Sequence, residues 1–155
     1  MSKKFKFDKT DFKIIEILMS DGKKPYSEVA NKLNVSHGTV HFRMNKLIEA
    51  GAIEKTTLKI NYARFGYDIT AFVGIYLSRS NKYPMVLEEL KKINEITNIH
   101  FTTGKYSMFI QIHCKDTSHL KQIIHEQIQQ IEGVDRTETI ISLEKSLDRS
   151  VVIPF

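Results

Sequence analysis

Seven residues, Ser36, Gly38, Thr39, His41, Arg43, Asn45 and Lys46, crowd the polar side of a short helical pattern, and no acid interrupts them before Glu49. Their chemistry is hydrogen bonding to phosphates and base edges. Gly38 lets a backbone come close, Thr39 and His41 reach phosphates or bases, and the fork of Arg43 suits guanine or phosphate. Arg43 is equally suited to bracing the domain. Val40, Met44, Leu47 and Ile48 recur at i, i+4, i+7 and i+8 and mark the side that faces a core. Ser36 is placed to cap the helix and Gly51 to stop it.

That pattern needs a partner helix and a tight turn. Pro25 opens a preceding helix in which Ser27 is a candidate cap and Val29, Ala30 and Leu33 point inward, with Asn34-Val35 as the turn. An earlier helix runs from Asp8 through Met19. Asp8 and Asp11 stand at the positions of a capping box; Ile14, Ile15, Leu18 and Met19 form its apolar stripe, and Asp21-Gly22 ends it. Together these predict a helix-turn-helix that places Ser36–Gly51 in the major groove of double-stranded DNA, two copies reading half-sites roughly 34 Å apart. Ile53–Ile60 is β-rich and predicts a short wing or connecting strand.

Beyond residue 68, strands and helices alternate. Strands are predicted at 71–77, 99–103, 107–114 and 134–143. Helices are predicted from Pro84 to Ile96, with Met85, Leu87, Leu90 and Ile93 apolar, and from Thr117 to Ile131, with Leu120, Ile123, Ile124 and Ile128 inside. The order βαββαβ is the split βαβ of a ferredoxin-like sandwich. The expected fold is therefore α+β, with a winged-helix-like DNA-binding domain (1–60), a connecting segment (61–68) and a ferredoxin-like domain (69–155). Thr103–Ser107 reads as a hairpin turn and Thr137–Thr139 as part of the last strand.

The chain has 155 residues, 41% of them hydrophobic, and a formal net charge of +5. Residues 1–60 hold 12 Lys+Arg against 7 Asp+Glu, and residues 61–155 hold 11 of each. The positive excess lies wholly where DNA is expected, and Lys3, Lys4, Lys23, Lys24, Lys55 and Lys59 are candidates for phosphate contacts. No apolar run approaches the roughly 20 residues of a membrane span, and Met1-Ser2-Lys3-Lys4-Phe5 lacks the apolar stretch of a signal peptide. A cytoplasmic protein is expected, with Cys114 an inert strand residue. One cysteine builds no zinc finger and no His-Glu-x-x-His occurs, so no metal is expected. Nor is a phosphate loop, a nucleophile elbow or an acid/base pair visible, which argues against an enzyme.

Several words resemble the Lrp/AsnC ("feast/famine") family of transcription regulators. They are Asp8-Lys9-Thr10-Asp11-Phe12-Lys13-Ile14-Ile15, Val35-Ser36 with Val40, Arg43 and Leu47, Gly51-Ala52-Ile53, Phe65-Gly66-Tyr67-Asp68 and Gly104-Lys105-Tyr106. The resemblance spans nearly the whole chain and is nearest to the asparagine-responsive branch, through Val35–Arg43 and Thr102–Ile110. Many members carry Asp where this chain has Ser107, which speaks against recognition of a cationic side chain there. The resemblance implies homodimers assembling to octamers and an amino-acid effector, asparagine first, held between dimers. Thr103, Gly104, Lys105, Tyr106, Ser107, Thr137, Glu138 and Thr139 are its implied binding set. Backbone N–H groups around Gly104 would take a carboxylate, Glu138 or the Thr hydroxyls an ammonium, and Ser107, Thr137 and Thr139 an amide. The competing expectation is an architectural protein that wraps DNA without a ligand.

Overall fold

A computed structural model describes residues 6–154, so Lys3 and Lys4 lie outside the described residues. The chain forms two compact units. One reaches to Lys59 and takes in the tail from Asp148, and the other is Ile60–Leu147. The tail thus groups with the first unit instead of with 69–155.

In the first unit α1 is Lys9–Ser20, α2 is Tyr26–Leu33 and α3 is His37–Glu49. The capping box at α1 is present: Asp8 Oδ1 accepts from the N–H of Thr10 and Asp11 at 2.8 and 3.0 Å, and Asp11 Oδ2 accepts from the Asp8 N–H at 3.0 Å. Ile14, Ile17, Val29, Ala30, Val40, Met44 and Leu47 form the core. Two stripe assignments shift. Ile17 replaces Met19, because a three-residue step from Ile14 stays on the same face, and Ile48 is exposed at the edge of the stripe. Asn34 adopts φ 53° and Gly51 φ 69°, the left-handed conformations that end α2 and α3. Asp21 ends α1 in an extended conformation without a left-handed Gly22, and Pro25, not Ser27, precedes α2. Ile53–Ile60 is not a strand. Its residues beyond Ile53 are exposed and pair with no ladder among the described residues, and β propensity without an edge to pair makes no strand.

In the second unit β1 (Ile69–Leu77), β2 (Ile96–Phe101), β3 (Met108–Cys114) and β4 (Val134–Ser142) form an antiparallel sheet of order β2-β3-β1-β4. This is the βαββαβ arrangement. Helix α4 is Tyr83–Leu90, and α5 is Thr117–Gln122 continued by a wider π-type turn through Ile128. Both helices cover one face of the sheet. Val86, Leu90, Leu120, Ile123, Ile124 and Ile128 pack with Ala71, Val73, Ile75, Met108, Ile110, Ile112 and Cys114 in one core. Burial raises the Cys114 thiol to about 11, so it stays protonated and unreactive. Alternation along the strands sends Phe72, Gly74, Tyr76 and Phe109 to the other, uncovered face. Helix α4 ends six residues before Ile96, and Met85 is exposed while Val86 takes the inward position.

Candidate functional site

Helix α3 carries the first candidate site. Its stripe of Val40, Met44 and Leu47 is buried, and His37, Gly38, His41, Phe42, Asn45 and Lys46 are exposed. Ser36, Gly38, Thr39, Phe42, Arg43 and Lys46 line, with Asp8, an open concavity of about 420 Å³. Ser36 caps the helix: its Oγ accepts from the Thr39 N–H at 3.1 Å and lies 2.8 Å from Thr39 Oγ1. The start of α3 is thereby held rigid where a recognition helix meets DNA. Ser36→Ala is expected to destabilise the first unit by about 1 kcal/mol, read as a lower urea midpoint.

Arg43 takes its bracing duty. Its Nη1 donates to Asp8 Oδ2 at 2.6 Å and Asp11 Oδ1 at 2.7 Å, tying α3 to the start of α1. The hydrogen bond from Arg43, joined by the Asp11 and Thr10 backbone, holds the Asp8 carboxyl below its usual range, and the bonds to the Asp8 and Asp11 side chains raise the Arg43 guanidinium. Asn45 Nδ2 lies 3.4 Å from His41 Nδ1, and Tyr26 packs edge-on against His41. His37 and His41 stand four residues apart, a spacing that presents two ligands. Among the described residues, however, no group of three His, Cys, Asp or Glu is placed to hold a metal ion. Of the expected phosphate lysines, Lys23 and Lys55 are exposed, Lys24 lies 3.3 Å from Asp21, and Lys59 lies 2.6 Å from Asp148.

The second candidate site is built around Glu138. Its Oε1 accepts from the Tyr76 hydroxyl at 2.8 Å, and its Oε2 from Lys105 Nζ at 2.6 Å and the Tyr106 hydroxyl at 2.9 Å. Lys105, then the two tyrosines, pull this carboxyl down to about 2, and Glu138 in turn raises the Lys105 ammonium. Burial, then the Glu138 hydrogen bond, raises the Tyr76 phenol. Arg136 lies over the Tyr76 ring at 3.9 Å. The turn itself is closed by Thr102, whose Oγ1 donates to the Tyr106 carbonyl at 2.7 Å and whose N–H donates to the Ser107 carbonyl at 3.1 Å. Gly104 adopts φ 104°, which favours glycine. Ser107 joins β1, its N–H donating to the Ile75 carbonyl at 2.9 Å and its Oγ lying 3.5 Å from the Leu77 N–H.

The structure therefore brings Lys105, Tyr106 and Glu138 together beside exposed Thr103 and Gly104. It does not bring Thr137 and Thr139 to them. Both are opposite Ile75 and Val73, on the helix side of the sheet, while Glu138 is opposite Gly74 on the uncovered side. Thr137 Oγ1 instead accepts from Gln129 Nε2 at 2.8 Å. Glu138, with donors on both oxygens, orders the turn in place of offering an open acceptor for an ammonium.

Gly74 and Tyr76 belong to this site and escaped the sequence reading. A Cβ on Gly74 would fall 2.4 to 2.7 Å from the Tyr106 ring. The signal was there: a lone Gly inside Ala71–Leu77 marks a close approach. Gly74→Ala is expected to push Tyr106 off Glu138 and to cost about 1–3 kcal/mol, seen as a lower melting temperature of the second unit.

Comparison with known proteins assigns a family model to each of the two parts of the chain. A family model for winged helix-turn-helix DNA-binding matches residues 7–54, and one for the Lrp/AsnC ligand binding domain matches 70–152. Regulatory protein AsnC of Escherichia coli strain K12 is 35% identical over 144 residues, covering 93% of this chain and 95% of that one. The chain belongs to the Lrp/AsnC family. It is a DNA-binding transcription regulator with a ligand-binding domain, and not an enzyme. The solved structure of Escherichia coli AsnC superposes with a TM-score of 0.90 at 33% identity, covering 96% of this chain and all of the other. A Neisseria meningitidis transcriptional regulator, solved in complex with L-Met, shares the fold at a TM-score of 0.88 and 18% identity, covering 96% and 97%. No helix among the described residues is long and apolar enough to cross a membrane. As a family member the chain keeps its DNA-binding match on α1 to α3 and its ligand-binding match on the sheet that carries Glu138.

Proposed function

We propose that this regulator binds DNA through the exposed side of α3 and that an amino acid, asparagine first, binds at the Gly104 turn and changes DNA affinity. Ser36, Gly38, Thr39, His41, Asn45 and Lys46 contact the major groove, and Arg43 holds the helix that presents them. Thr103, Gly104 and Ser107 meet the effector on a turn whose shape Lys105, Tyr106 and Glu138 fix. Thr137 and Thr139, on the helix side of the sheet, take no part in it. The protein works in the cytoplasm as a homodimer that assembles further to an octamer, with residues 1–60 the DNA-binding part and those beyond 68 the effector and assembly part.

The observation that carries this reading is the Glu138 cluster. Three donors converge on one carboxylate to hold a glycine turn whose backbone N–H groups suit a carboxylate ligand. The L-Met bound by the Neisseria meningitidis protein supports an amino acid as the ligand class on this fold. Ser107, uncharged and beside the turn, favours an uncharged side chain such as the asparagine amide. The test is a thermal-shift scan of the full chain against the twenty amino acids. Ligand at a hundred times its dissociation constant stabilises by about 2.7 kcal/mol. A shift confined to asparagine, and lost in Ser107→Asp, is the expected result. A shift with a different amino acid replaces asparagine as the effector, and no shift with any of them removes the amino-acid sensor.

A further inference from the structure

Phe42 is 68% exposed on α3. Successive residues of a helix turn by 100°, so Phe42 points roughly 170° away from the mean direction of buried Val40, Met44 and Leu47. Gly38 and Lys46 flank it, each roughly 40° to one side. When the buried stripe faces away from DNA, Phe42 is the side chain that enters the groove deepest. Gly38, with no side chain beside it, allows that approach. Arg43, one position on, is instead drawn to Asp8 and Asp11, which hold its Nη1.

A phenyl ring neither donates nor accepts a hydrogen bond. On the floor of the major groove the thymine 5-methyl group is the one apolar group that projects from a base, where cytosine has only a C5–H, and the polar edges around it are donors or acceptors. Seating the ring on a donor or acceptor would strip that group of water without replacement. We infer that Phe42 is a specificity-determining residue that reads the 5-methyl group of a thymine in each half-site. This rests on the proposed DNA interface of α3. It assigns the centre of that interface to an apolar contact, with Thr39, Asn45 and Lys46 around it.

The test uses the full-length chain. The wild type first selects a site from a random double-stranded library. Each thymine of that site is then replaced in turn by deoxyuridine, which removes only the methyl group, and affinities are measured by fluorescence anisotropy at one fixed salt concentration. The wild type is expected to lose about fourfold affinity at one position per half-site, the factor that one buried methyl group carries. Phe42→Ala should bind the thymine and uracil forms equally at that position, while Phe42→Leu, apolar as well, retains most of the discrimination. A Phe42→Ala protein that still prefers thymine at every position preferred by the wild type overturns the inference and leaves the interface standing. A wild type that enriches no site overturns the interface, and the inference with it.

Discussion

Arg43→Ala lowers the stability of the N-terminal unit by about 3 kcal/mol, the low end of what removing one partner of a buried ion pair costs. Arg43 is the cation that holds Asp11, whose side chain is only 5% exposed. Without it Asp11 Oδ1 loses the guanidinium while Oδ2 keeps the Asp8 N–H at 3.0 Å, and the side chain stays buried against the core. The low end applies because the Arg43 side chain is 25% exposed and water reaches part of the site. Urea denaturation followed by circular dichroism should show an early transition for α1 to α3, with the sheet unit melting as in the wild type. Arg43→Lys should recover part of the loss, since an ammonium keeps the charge and gives up the planar fork. A variant as stable as the wild type but unable to bind DNA would instead make Arg43 a DNA contact.

The same pair sets a pH dependence. The folded state depresses the Asp8 carboxyl, chiefly through Arg43. Its contribution is therefore complete above the ordinary carboxylate value and is lost as the pH falls through the lowered one. In Arg43→Ala that part of the acid sensitivity should disappear.

Glu138→Gln abolishes the response to the effector. The substitution keeps the size of the side chain but removes the charge that Lys105 pairs with, and its amide nitrogen cannot accept from a tyrosine hydroxyl. The Gly104 turn loses its anchor to β4. If the amino acid shifts wild-type DNA affinity by 5- to 150-fold, the usual range of allosteric coupling, the variant should show less than a twofold shift. Its affinity for DNA without effector should change little, because α3 lies in the other compact unit. The carboxyl is held at about 2 in place of 4.5. Its stabilisation is thus full above about 4.5 and fades as the pH falls toward 2. Salt weakens it, since the Glu138 side chain is 37% exposed. An effector response that survives in Glu138→Gln would move the binding site elsewhere.

Local chemistry made the helical unit readable. Asp8 with Asp11, Ser36, Asn34 and Gly51 each leave a cap or a turn that one residue type specifies, and the structure has each in its expected place. The alternation of βαββαβ was equally plain from the apolar periods. Less was visible where partners decide. Ile53–Ile60 has the composition of a strand but no ladder, and a composition does not name its edge. The two-fold period of β4 does separate Glu138 from Thr137 and Thr139, yet which face held the turn depended on Gly74 and Tyr106 meeting across 32 residues. Arg43 was readable as either a reader of DNA or a brace, because a guanidinium suits phosphate and carboxylate alike. Only its distance to Asp8 and Asp11 decides.

A small amino acid that controls DNA affinity must change the binding constant itself. The measurement is the dissociation constant of the full-length chain for DNA it selects from its own genome, at one salt concentration, with and without saturating asparagine. Binding is expected to be tighter than to random DNA of equal length and to change at least fivefold on adding the amino acid. Equal affinity for selected and random DNA, unmoved by asparagine or any of the other nineteen, would contradict it and leave an architectural DNA-wrapping protein.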